Sequence, residues 1–242
     1  TAPDVPVPVC SVEDVNNDHE QKLALVVAFI GAPDAMNNLK TGQQVINAYK
    51  RMKEVIEKKI IQGKKHKIGY LIPVEIGAIS MLAPFLVAAE CGLKIIDGDG
   101  AGRAVPSLTQ LTYAGNGIST NPTVMASSGS DAIVLEVENA VEDESFARPI
   151  LGNPAFDESA GLAIWPMTPS QLIQANPVSG SFSLAYNLGV LTGCPTAAYD
   201  IVSTLNGYQG LTCKIVFEGI VKSSQMQTKD GFDFGSLTIS QG

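Results

Sequence analysis

The chain has 242 residues, 45% hydrophobic and 17% charged, which is enough to bury a sizeable core in one large domain or two modest ones. Sixteen basic residues against 24 acidic ones give a net charge of −8 and a pI near 4.7, so a global basic footprint for nucleic acid or anionic lipid is excluded. Aromatic residues at 6% argue against a base-stacking platform.

Residues 1–22 are polar and Pro-rich. Leu23–Gly31 is a short, continuous, β-branched run bounded by Gly31 and Pro33, the pattern of a buried strand. A helix is predicted from Thr41, with Thr41 and Gln44 at capping-box spacing. Val45, Tyr49, Met52, Ile56 and Ile60 lie on one face of it, and Gly63 ends it. The same region carries Lys50, Arg51, Lys53, Lys58, Lys59, Lys64, Lys65 and Lys67, half of all basic residues, read as the solvated face of the helix and its exit. Lys67–Ile72 is a second strand stopped by Pro73. Ile76–Glu90 is predicted as a second helix, apolar nearly all round and therefore buried, with a kink or break at Pro84. Gly92 closes it. Leu93–Ile96 is a third strand running into Asp97-Gly98-Asp99-Gly100. This order predicts an α/β fold with a parallel sheet core and flanking helices.

Further on, Pro106–Tyr113 reads as a helix. Pro122–Ser127 and Asp131–Glu138 read as two strands joined at Ser128-Gly129-Ser130. Residues 139–158 read as acidic and irregular. Gly161–Met167 is a strand, followed by a short helix over Pro169–Ala175 and helices over Ser181–Thr192 and Pro195–Leu205. From Lys214 the pattern becomes β, with a turn at Lys229-Asp230-Gly231 and a strand over Gly235–Ile239. The expected organisation is an α/β domain over residues 1–205 and the start of a smaller, β-rich C-terminal region over 206–242. Ile215, Phe217, Ile220, Phe232, Phe234, Leu237 and Ile239 are assigned to one face of the hairpin. A lone two-stranded ribbon is marginal, so a homo-oligomer or a partner subunit is expected to cover it.

The four cysteines, Cys10, Cys91, Cys194 and Cys213, form no C-x-x-C pair, and the two histidines, His19 and His66, cannot build a His-rich metal site. The thiols fit buried, reduced residues of a cytoplasmic protein, although an even count leaves disulfides open. The longest apolar stretches, LALVVAFIG and MLAPFLVAA, have nine residues against the ~20 a spanning helix needs. No secretory signal precedes them. The chain opens on TAPDVPVPV without an initiator Met, as a processed product or fragment would.

Chemistry is expected beyond the carboxyl ends of the second and third strands. One end carries Glu75-Ile76-Gly77 and the other IIDGDGAGRAVP, residues 95–106. Glu75, Asp97 and Asp99 are candidate bases and Arg103 is the planar cation beside them. Together they could orient a water, hold a divalent ion or bind a polar heterocycle. Turn and cap roles for Asp97 and Asp99 fit the same spacing. Gly100 and Gly102 let backbone approach a ligand, but the spacing is not G-x-G-x-x-G, so a dinucleotide cofactor is not expected. No serine sits in a G-x-S-x-G elbow.

Three blocks carry a resemblance: IGAPDAMNNLKTGQQVINAYKRM, IPVEIGAISMLAPFLVAAECGLKIIDGDGAGRAVPSLTQL and FEGIVKSSQMQTKDGFDFGSLTI. The chain resembles the S-methyl thiohydantoin desulfurase-like family, whose members sit beside or are fused to hydantoinase/oxoprolinase proteins. Asp97, Asp99, Gly100, Gly102, Arg103, Ala104 and Pro106 match its central block. Ala78, Ser80-Met81 and Ser107 depart from it, and a Gly-rich G-T-G-G-G-G segment and a further β stretch are not present. The resemblance implies a hydrolase-like protein that acts on or binds a cyclic amide of the hydantoin or thiohydantoin type. Glu75, Asp97, Asp99 and Arg103 would be catalytic, and Gly77, Gly100, Gly102, Pro106 and Ser107 would line the substrate. The other expectation is a non-catalytic structural or assembly subunit on the same fold.

Overall fold

The computed structural model describes residues 6–31, 42–59, 65–129, 131–156, 159–193, 198–207, 211–229 and 232–241. The chain divides into two units, Thr1–Phe182 and Ser183–Gly242. The first runs β1 (Val9–Cys10), α1 (Val12–Asn16), β2 (Leu23–Gly31), α2 (Gln43–Lys58), β3 (Ile68–Pro73), α3 (Leu82–Cys91), β4 (Lys94–Ile96) and β5 (Gly98–Asp99). A 3-10 turn (Leu108–Gln110), α4 (Thr112–Gly115), β6 (Thr123–Ala126), β7 (Ala132–Leu135), α5 (Ala140–Leu151), β8 (Ser159–Met167), α6 (Pro169–Ala175) and β9 (Val178–Ser179) follow. Helix α7 (Ser181–Thr192) starts at the boundary, and the second unit adds α8 (Ala198–Asn206), β10 (Ile220–Lys229) and β11 (Phe232–Ser240).

Seven strands form one sheet in the order β1-β4-β3-β2-β8-β6-β7. Strands β1 to β4 are mutually parallel, which puts Leu23–Ile30 and Leu93–Ile96 in the same sheet as the sequence predicts. Strand β8 enters between β2 and β6 and is antiparallel to both. The sheet is therefore mixed, with its parallel half carrying the candidate site. Burial on both faces explains the unbroken apolar run of β2. Leu23, Leu25, Val27 and Phe29 join the face covered by α2 and α3. Ala24, Val26, Ala28 and Ile30 join the opposite face, covered by α1, α4, α5 and α6.

Helix α2 lies against β8 because Gly161 has no side chain: a Cβ there would sit 2.0 Å from the Gln44 carbonyl oxygen. Trp165, fully buried, takes φ 51° where the register between β2 and β8 shifts. Its indole N–H donates to the Ile118 carbonyl at 3.1 Å, and its ring packs on Tyr113 with centroids 5.2 Å apart.

Several expectations are corrected. Within the stretch that reads as irregular, α5 occupies Ala140–Leu151, with the Asn139 side chain accepting from the Glu142 amide as its cap. Helix α3 begins only at Leu82, so Pro84 falls in its first turn, where the missing amide has no intrahelical partner to lose. No kink is needed there. Nor is α3 buried all round: Leu82 and Leu86 are exposed. The segment 106–113 is a 3-10 turn and the start of a short helix rather than one helix. Residues Val9–Cys10 in the Pro-rich start form an edge strand on β4. Thr41 and Gly63 lie outside the described residues, and α2 is preceded by Gly42 in the left-handed region at φ 65°. The basic run is largely a solvated face as expected: Lys50, Arg51 and Lys53 make exposed ion pairs with Glu90, Glu54 and Glu57, and such pairs contribute little.

In the second unit β10 and β11 pair antiparallel over nine residue pairs. Alternation along β11 puts Phe234 on the face opposite Leu237 and Ile239. The expectation of a single apolar face is thus corrected. Val221, Met226, Phe234, Leu237 and Ile239 are all exposed. Asp230 and Gly231 of the expected turn lie outside the described residues. No helix is long and apolar enough to cross a membrane among the described residues.

Candidate functional site

Because β3 and β4 are parallel neighbours, the loops that follow them leave the same edge of the sheet. The structure brings them together, and two carboxylates do the joining. Asp99 is completely buried. Its Oδ2 accepts from the amides of Ile76 at 3.1 Å, Ala101 at 2.9 Å and Gly102 at 2.7 Å. One side chain therefore ties the loop after β3 to the loop after β4. Among the described residues its Oδ1 is buried without a hydrogen bond of good geometry, as is the nearby Ser181 hydroxyl. Burial pushes the Asp99 carboxyl above its ordinary value, opposed first by the Ser181 hydroxyl and then by the three amides.

Glu75 makes the second tie. Half-buried, it accepts from the Ser80 hydroxyl through Oε1 at 2.7 Å and from the Val105 amide through Oε2. Asp97 is half-buried at the head of the second loop. Its amide donates to the Cys10 carbonyl and its carbonyl accepts from Gly180. Arg103 is exposed, and its Nε donates to the carbonyl of Ala104 at 3.2 Å. Among the described residues its guanidinium makes no ion pair with Glu75 or Asp99.

The expected lining residues divide. Gly77 is half-buried beside Glu75 and Ala104, with ordinary room for a Cβ. Gly100 is buried in the core: a Cβ there would meet the Tyr113 ring at 2.7 Å and the Val74 carbonyl oxygen at 2.9 Å. Gly102 takes φ 69° against Val178. Pro106 is exposed. The Ser107 hydroxyl caps the 3-10 turn through the Thr109 amide and donates to Glu144 at 3.1 Å.

Spacing did not reveal two contributors from later in the chain. Strand β9 pairs with β5, with Gly98 opposite Ser179 and Asp99 opposite Val178. Glu144 on α5 accepts from the Leu108 amide at 2.8 Å and is itself held by Arg148. The sequence carries no signal for Glu144, because the helix that places it reads as irregular. Among the described residues no three His, Cys, Asp or Glu side chains cluster as a metal site would require. An open groove of roughly 620 Å³ lies elsewhere, around the start of β4, lined by Asp14, Asp18, His19, Tyr70 and Lys94 among others. It contains none of the predicted site residues.

Models of the S-Me-THD-like N-terminal domain and the S-Me-THD-like C-terminal domain match residues 2–137 and 138–242. No curated protein matches. A crystal structure of a protein from Chromobacterium violaceum is 30% identical with a TM-score of 0.80, covering 96% of this chain and 63% of that one. The chain thus spans less than two thirds of the length of that protein.

Proposed function

The chain belongs to the S-Me-THD-like family, and from that premise we propose that it binds, and hydrolyses, a cyclic amide of the hydantoin or thiohydantoin type over the loops that follow β3 and β4. The observation that carries the reading is the junction of these loops by Glu75 and Asp99, with the Arg103 guanidinium left exposed beside it. Two parallel-strand ends meeting in this way are where α/β sheets hold ligands.

In this reading Asp99 differs in role from Glu75 and Asp97. Asp99 has Oδ2 occupied by three amides and no access to solvent, so it shapes the site. Glu75 or Asp97, both half-buried, takes a proton from water as that water adds to the polarised ring carbon. Arg103 donates to the oxygen or sulfur on which negative charge develops. The ring carbon–nitrogen bond then breaks and the nitrogen takes the proton. In this reading Gly77, which is half-buried, and Gly102 and Pro106, which are exposed, would form the rim of the path.

The test is calorimetric titration and a turnover assay with hydantoin and 2-thiohydantoin, with and without added divalent metal. Arg103→Ala should weaken binding about tenfold or more, the worth of a hydrogen bond to a charged group, with an unchanged melting temperature. Undiminished binding by that variant would remove Arg103 from the site.

A second reading is a non-catalytic assembly subunit. It is favoured by the exposed apolar residues of the β10–β11 hairpin, which suit contact with a second copy or a partner chain. Reduced thiols in a cytoplasmic setting fit either reading: Cys10, Cys91 and Cys213 are free.

A further inference from the structure

Carboxylates lace the loop from Ala101 to Leu108 at three places. Asp99 takes the Ala101 and Gly102 amides, Glu75 takes Val105, and Glu144 takes Leu108 and the Ser107 hydroxyl. Arg103 stands between the first two ties. The third tie is unlike the others because it comes from α5, 36 residues along the chain from Leu108. Glu144 divides its oxygens: Oε2 holds the loop, and Oε1 accepts from both Nε and Nη2 of Arg148. Nη2 also reaches the Pro106 carbonyl at 3.4 Å. The Glu144 side chain is 19% exposed, so its bonds are largely shielded from competing water.

We infer that Glu144, backed by Arg148, is a positioning residue that fixes the far end of this loop and thereby the place of the Arg103 guanidinium. The inference rests on the reading of Arg103 as a ligand contact. Fixing both ends of a short loop leaves few conformations to its apex, so less ordering is needed when a ligand arrives. Loss of the third tie leaves the single Glu75–Val105 bond to hold the loop beyond Gly102, so the stretch that carries Arg103 loosens while the core beneath Gly100 stays packed.

The test uses the whole chain with Glu144→Gln and, separately, Arg148→Met, which removes the support of Glu144 and the long contact to the Pro106 carbonyl while leaving the Glu144 carboxylate in place. Hydrogen exchange at the Leu108 and Val105 amides and trypsin cleavage after Arg103 report loop order without any ligand. Titration with 2-thiohydantoin reports the site. The expected result for both variants is an unchanged melting temperature and exchange at Leu108 faster by about tenfold. Val105 exchange and cleavage after Arg103 should also rise. Binding of 2-thiohydantoin should weaken by about tenfold, the worth of one charge-assisted hydrogen bond. Adding Arg103→Ala to Glu144→Gln should cost no more than Arg103→Ala alone, because Glu144 acts on the ligand through Arg103. Unchanged Leu108 exchange, or faster exchange with undiminished binding, overturns the positioning role. If Arg103→Ala itself leaves binding intact, or the parent does not bind 2-thiohydantoin, the ligand reading fails instead, and the exchange result alone decides whether the clamp holds the loop.

Discussion

Asp99 turns one oxygen toward three amides in a place water does not reach. Removing the carboxylate would leave three part-buried donors without their acceptor, and an unsatisfied group that water does not reach costs about 1–3 kcal/mol. Asp99→Ala should therefore destabilise the chain by about 1–3 kcal/mol or more, read as a lowered urea midpoint. Asp143 is a different kind of buried acid. It accepts from the Thr123 hydroxyl at 2.9 Å through Oδ2, and among the described residues its Oδ1 has no hydrogen-bond partner. Burial raises its carboxyl above the ordinary value, against the pull of neighbouring hydroxyls. The folded chain then holds that proton more tightly than the unfolded chain does. The resulting stabilisation is complete below the ordinary carboxyl value of 3.8 and fades as pH rises through the raised folded value. The parent should lose stability relative to Asp143→Asn between pH 4 and pH 7, measured as the difference in urea midpoints. An equal difference at both pH values would show that Asp143 does not titrate in this way.

At the scale of elements, the contact of α2 with β8 depends on one missing methyl group. Gly161→Ala would force the added carbon into the Gln44 and Val45 backbone, which cannot turn aside as a flexible side chain can. Overpacking of this kind costs about 1–3 kcal/mol, occasionally more, so a fall in melting temperature of several degrees is expected, with ligand contacts untouched. The same elements explain what sequence could and could not reveal. Strand β2 was legible because both its faces are buried, which leaves an unbroken apolar run. Helix α5 was not, because Glu142, Asp143 and Glu144 and the internal Pro149 mask a stripe of only Ala140, Ala147 and Leu151 in the core. The loops carrying Glu75 and Asp97–Arg103 were legible because glycines and acids mark strand ends. That Asp99 is a buried tie, and that Glu144 reaches Leu108, depends on tertiary contacts that spacing along one chain does not encode.

For the whole molecule, the hairpin of β10 and β11 raises the question of what stabilises it. Two strands alone are marginal, and Val221, Met226, Leu237 and Ile239 are exposed. We expect light scattering to give a mass above the 25.4 kDa of one chain at micromolar concentration. Met226→Lys with Leu237→Lys should return it to the single-chain mass without altering the melting of the seven-stranded sheet. A single-chain mass for the parent would show that this surface needs no second copy.

The chain has one tryptophan, and the register shift of β8 places it under the Tyr113 ring that limits the space at Gly100. Emission excited at the red edge of protein absorbance therefore comes from a single dry position beneath the candidate site. Changes in its wavelength will follow the loosening of that layer and not the hairpin, so fluorescence and far-ultraviolet dichroism followed together can resolve whether the two units melt in one step or two.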